Sequence, residues 1–192
     1  MSGHYRRLCL AQGASLCVVG IMVGLLLLFA APGVRSLFLG FLFLLGARFC
    51  LWFFAHDLAH HVVGRVLGVG FRYYFLGRSA ITKLRLPMIS ELSSKIPVLG
   101  LKIDKHTLES VSPNKARIIY ASAAISSMLL PFLVLPTAYV ISIPVGTVFT
   151  LLTLANSLFT IYFSSHVGDL HRAGIRHDIL VSHPKPDYSS NA

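Results

Sequence analysis

The sequence predicts an all-α membrane protein, a bundle of about four transmembrane helices with a basic cytoplasmic segment that contains short β-strands. Three observations predict it. Of 192 residues, 55% are hydrophobic and only 12% are charged, a mix outside that of soluble domains of this size. Four apolar runs, Leu8 to Ala31, Leu37 to Ala55, Ile118 to Ile143 and Val145 to Phe163, each approach or exceed the roughly 20 residues that cross a bilayer as a helix. Finally, the basic residues flank these runs instead of interrupting them, with Arg48 as the exception. Lipid offers backbone groups no hydrogen bonds, so each run is expected to be helical.

The first run follows Arg6 and Arg7 and ends at Ala30 and Ala31, features shared with secretory signal peptides. It exceeds their usual core of roughly 7–15 apolar residues, so residues 1–33 are read as a first transmembrane helix. Pro32 and Gly33 then mark a short turn that makes the first two helices antiparallel neighbours. The second helix passes through Arg48, Trp52, Phe53 and Phe54 into His56-Asp57-Leu58-Ala59-His60-His61 and is expected to close near Gly68. Beyond it, the aromatic stretch 71–77 and the alternating stretch 99–104 read as short strands. Ser112 as N-cap and Pro113 at the first helical position open the third span. Pro131, Pro136 and Pro144 predict kinks and a turn before the fourth. Residues 34–172 form the membrane core, and 173–192 a polar tail that is expected to fray.

The net charge of +10 could suggest nucleic acid, but its distribution points to a membrane surface instead. Arg65, Arg72, Arg78, Lys83, Arg85, Lys95, Lys102, Lys105, Lys115 and Arg117 crowd one inter-helix segment, opposed by Glu91, Asp104 and Glu109. By the positive-inside rule this segment, Arg6 and Arg7, and the tail with Arg172, Arg176 and Lys185 face the cytoplasm. Both termini are then cytoplasmic in a multi-pass protein of the cell membrane, and nucleic acid is not an expected partner. Cys9, Cys17 and Cys50 lie in or beside apolar helices without paired spacing, and read as small core residues.

The histidine cluster carries the chemistry. Residues four apart in a helix differ by about 40° around the axis, so His56 and His60 share a face one turn apart and can chelate one metal ion. An acid next to the first ligand, here Asp57, is placed to take a proton from a water on that ion, the logic of the H-E-x-x-H helix. His61 points about 100° away from His60 and is a supporting group, within reach of a hydrogen bond to Asp57. A third ligand has to come from elsewhere, and His166, Asp169, His171, His177, His183 and His106 are candidates. His166 and Asp169 follow the fourth span and lie near the depth of the cluster. Arg48, two turns before His56, either lines a polar cavity or pairs with a carboxylate, or else caps carbonyls at a helix break near Gly46.

His56-Asp57-Leu58-Ala59-His60, followed by Val62-Val63-Gly64-Arg65-Val66-Leu67-Gly68-Val69, resembles the zinc helix of the site-2 protease-type intramembrane metalloproteases. Ser112-Pro113 leading into Ile118 to Ala124 is similar to the start of that family's next core span, and Asn156 through Asp169 to its last. The resemblance covers most of residues 45–172. It implies Zn2+ held by His56, His60 and Asp169, Asp57 as general base, and a membrane protein or peptide as substrate. The chain departs from the family's pattern at three places. Asp57 stands where the family has Glu, no proline lies between Asn156 and Asp169, and Ala123-Ala124-Ile125 replaces an alanine-glycine-proline turn. Two other functions use the same residues. One is a non-catalytic metal-binding scaffold. The other is a di-iron desaturase or hydroxylase, because His-Asp-x-x-His-His also resembles one of that group's histidine boxes.

Overall fold

A computed structural model of the chain describes residues 6–78, 97–166 and 169. Four helical stretches are long and apolar enough to cross a membrane, at Leu10–Gly33, Leu37–Val66, Pro113–Ile141 and Ile143–His166. They form the expected bundle. Lys83, Arg85, Glu91 and Lys95 of the basic segment and the 173–192 tail lie outside the described residues.

A three-residue strand, β1 (Arg6–Leu8), precedes helix α1 (Leu10–Ala30). The Gln12 side chain accepts a hydrogen bond from the Cys9 backbone and helps close the first turn of α1. The buried stripe of α1 is Gly13, Cys17, Gly20, Gly24 and Leu28. Small residues on this face let its neighbours approach closely. A Cβ at Gly20 would overlap the Phe54 ring, and one at Gly24 would press on Cys50.

After the Ala31–Gly33 turn, α2 runs from Leu37 to Val66, with the Ser36 hydroxyl accepting from the Leu39 backbone at its start. At 1.5 Å per residue its 30 residues span about 45 Å, well beyond the roughly 30 Å hydrocarbon core. Gly68, at φ +89°, ends the helix in the left-handed conformation that glycine adopts without strain. The backbone N–H of Val69 reaches back to the Gly64 carbonyl at 2.8 Å.

Strands β2 (Phe71–Arg78) and β3 (Pro97–Ile103) form an antiparallel pair where short strands were expected, and β1 adds antiparallel to the other edge of β2. The sheet order is β1-β2-β3. Two of its basic residues find partners. Arg72 pairs with Asp104 at 3.0 Å, and the Arg7 guanidinium lies 4.8 Å from the Tyr73 ring centre. Tyr74 is fully buried, packed with Cys17 and Leu99, so the sheet docks directly on the membrane helices.

The short helix α3 (Lys105–Glu109) leads into α4 (Pro113–Leu129). Ser112 occupies the N-cap position, but its hydroxyl makes no capping bond, so Pro113 alone supplies the start signal. Around Pro131 the third span tightens into a 3-10 turn (Leu130–Leu133) and resumes as α5 (Val134–Ile141). Pro144 sits in the first turn of α6 (Ile143–His166). The core inside the bundle is built on Leu28, Leu44, Ala47, Leu51, Val134, Ala138 and Phe149, with Phe41 and Phe149 rings 5.3 Å apart.

Candidate metal centre

His56 and His60 lie one turn apart on α2, with ring centres 5.3 Å apart and nearly perpendicular planes. Both Nε2 atoms point at the same carboxylate oxygen. Asp169 Oδ2 is 3.2 Å from Nε2 of His56 and 3.3 Å from Nε2 of His60. The three donor atoms all lie within 4.8 Å of one another. Donors about 2.0–2.1 Å from one tetrahedral ion stand about 3.3 Å apart, so the two N–O separations already suit a shared ion. A nitrogen, nitrogen, oxygen set also matches the chemistry of such sites, and the triad can hold a metal ion.

Helix α4 sets the orientation of both rings. Nδ1 of His60 is 3.0 Å from the Ile119 carbonyl oxygen. A carbonyl only accepts, so Nδ1 carries a proton and Nε2 is the nitrogen left to face the centre. The next carbonyl one turn along α4, that of Ala123, lies beside His56. The hydroxyls of Ser122 and Ser126 donate to the same two carbonyls at 2.8 and 2.9 Å, and Ser126 also reaches the Ala55 carbonyl at 3.3 Å. A helix whose sequence reads as apolar filler thus provides the scaffold of the site.

Asp169 lies just past the end of α6. Burial works to raise its carboxyl, but the hydrogen bonds with His56 and His60 outweigh burial and hold it well below the usual carboxylate range. It is therefore an anion at neutral pH.

Asp57 is 5% exposed. On the helical wheel it falls about 100° past His56, between His60 and His61. No hydrogen bond to its carboxylate forms among the described residues. His61 does not turn to Asp57: its Nδ1 lies 2.9 Å from the Tyr74 hydroxyl, and its ring sits against Phe71 and Tyr74. Burial, with Cys17 and Asp57 nearby, pushes the Tyr74 hydroxyl above its ordinary range, so it remains a neutral hydrogen-bonding group. Nothing in the aromatic run singled Tyr74 out beforehand.

The other candidates lie elsewhere. His166 closes α6, with Nδ1 2.7 Å from the Tyr162 carbonyl oxygen and 3.2 Å from the Ser165 hydroxyl, and its ring packs on Tyr162. His106 belongs to α3. His171, His177 and His183 lie outside the described residues. Arg48 neither pairs with a carboxylate among the described residues nor caps a break at Gly46, where α2 is continuous. Its Nη2 instead donates to the Leu152 carbonyl of α6 at 2.9 Å, while its Nε is buried without a partner.

Comparison with protein-family models, with curated proteins and with solved structures finds no match to the chain.

Proposed function

We propose that this chain is a membrane-embedded, zinc-dependent hydrolase of the site-2 protease type, cleaving a peptide bond of a membrane-associated substrate near the cytoplasmic face. The observation that carries this reading is the convergence of His56 Nε2 and His60 Nε2 on one oxygen of Asp169, at 3.2 and 3.3 Å. The resemblance implies those same three residues as ligands. The orientation follows from charge: β1, β2 and the segment around Lys102, Lys105, Lys115 and Arg117 share an end of the bundle with the triad, and the positive-inside rule places that end in the cytoplasm of the cell membrane.

His56, His60 and Asp169 would hold the zinc, which when bound polarises a scissile carbonyl and makes a water acidic near neutral pH. The remaining work falls to the protein. Ile119 and Ala123 fix the two rings through their carbonyls, so that each Nε2 faces the reaction centre. Asp57, buried next to His56, takes the proton of the attacking water and returns it to the departing amine.

A second reading rests on Asp57 itself. Its side chain is one methylene shorter than Glu, and its Cα lies about 100° around the helix from His56. That arrangement suits a scaffold that keeps the metal without the reaction. Cleavage of a single-pass membrane substrate by the purified protein separates the two. For the hydrolase, Asp57→Asn keeps the metal but cuts the rate by about 10²–10⁴, while Asp57→Glu retains cleavage. Equal cleavage by wild type and Asp57→Asn removes Asp57 as base. Cleavage by Asp57→Glu alone identifies the natural protein as the scaffold.

A further inference from the structure

Arg48 lies 11 residues into α2, about 16 Å along the axis from Leu37 at 1.5 Å per residue. Its hydrogen-bond partner Leu152 lies nine residues into α6, about 14 Å from Ile143 by the same rise. Both helices start from the same end of the bundle, so the two counts independently put the guanidinium near the middle of the membrane. A charge there is costly and is normally matched by a polar partner. Here the match is incomplete. A guanidinium carries five N–H donors; one bond to the Leu152 carbonyl is formed, and Nε is buried with no partner among the described residues. Thr153, fully buried next to Leu152, and Ser157 one turn on also keep hydroxyls without partners among the described residues.

The position of Arg48 on α2 shows where the missing partner could come from. At 100° per residue, the buried residues Leu44, Ala47, Leu51 and Ala55 lie on one side of it, while Leu45 and Phe49, 40% and 51% exposed, lie on the other. Arg48 thus stands at the border between core and lipid. Across from it, Leu152 and Phe159 on α6 are 39% and 40% exposed. The result is a lipid-facing apolar surface on α2 and α6 with the Arg48 cation at its edge.

We propose that this surface binds a transmembrane segment of another protein that carries an Asp or Glu near the middle of the membrane, and that Arg48 is the counter-charge. Charge complementarity selects the partner. The four spans of this chain contain one acidic residue, Asp57, in the metal centre, so a second copy brings no carboxylate to that depth. A neutral apolar helix would cover the surface but leave the guanidinium unmatched. The inference does not depend on the metal site and holds whether the bound segment is a substrate or a permanent partner.

The test uses the full chain in lipid vesicles with synthetic Leu-rich transmembrane peptides, read by energy transfer between labelled protein and peptide. A peptide with Asp at its centre should associate about tenfold more tightly than the all-Leu peptide. Moving the Asp two turns toward either end should abolish that gain, as should Asn in its place. These comparisons need only the wild-type protein. Arg48→Met should lose the preference and Arg48→Lys should retain part of it. Equal binding of the central-Asp and all-Leu peptides overturns the proposal. So does equal binding of the Asn peptide, which would make hydrogen bonding, not charge, the source of recognition.

Discussion

Gly13→Ala adds a single methyl group at the point where the sheet meets α1. A Cβ at Gly13 would overlap the Tyr74 ring, at the carbons closest to its own Cβ. Tyr74 has little room to yield, being fully buried among Cys17, Leu99 and their neighbours and bonded through its hydroxyl to His61. Two effects oppose each other. Alanine gains about 1 kcal/mol of helix propensity over glycine, whereas forcing a methyl group into a packed contact costs about 1–3 kcal/mol. Displacing the ring also loses a hydrogen bond worth about 0.5–1.5 kcal/mol. The net expectation is destabilisation by about 1–3 kcal/mol. Thermal unfolding in detergent, compared with Gly33→Ala, reads it. A Cβ at Gly33 meets nothing within 4 Å, so that variant should unfold close to wild type. Adding Tyr74→Ala should then make Gly13→Ala harmless or favourable. If Gly13→Ala alone unfolds at or above the wild-type temperature, the packing of the sheet on α1 is not as described.

Other expectations concern the centre and the topology. After zinc loading and dialysis, metal analysis should find about one equivalent in wild type and His61→Ala, none in His56→Ala or His60→Ala, and weaker retention in Asp169→Ala. Loss of metal in His61→Ala with retention in His60→Ala would place the ligands on the wrong face of α2. Without metal, Asp169 has a carboxyl pKa depressed in the folded state, so its stabilising effect is complete above its unfolded value near 3.8 and fades as pH falls below it. Thermal unfolding in chelator should therefore show a drop below that pH that Asp169→Asn removes. In a background lacking Cys9, Cys17 and Cys50, a cysteine at Ser36 should react with an impermeant thiol reagent in intact cells and one at Ser110 should not. The reverse pattern would invert the membrane orientation.

The spans were legible because hydropathy over about 20 residues is a strong local signal. The expected close of α2 near Gly68 was met, although hydropathy alone would have ended the helix sooner. The apolar run stops at Ala55, yet the helix continues to Val66, because the polar side chains of the cluster sit inward while Val62 and Val66 remain exposed. Strand β1 escaped notice for a different reason. Three residues, Arg6 to Leu8, pair with Tyr74 to Leu76, a contact across more than 60 residues that leaves no local pattern. The one-turn spacing made the shared face of His56 and His60 readable, and helix parity brought Asp169 to their end of the bundle. The groups that aim the rings were unreadable, since Ile119 and Ala123 act through backbone carbonyls and any residue type supplies those. The real partners of His61 and Arg48 were hidden likewise, one in a strand and the other a carbonyl in α6.

The two histidines and the two carbonyls that receive them are spaced by the same single turn on antiparallel helices, His60 against Ile119 and His56 against Ala123. They work like two teeth of a key in matching notches. A small slip of α4 along α2 cannot loosen one ring and leave the other seated, because both teeth ride on the same rigid rods. An axial shift of α4 along α2 would therefore carry both carbonyls away from the rings at once.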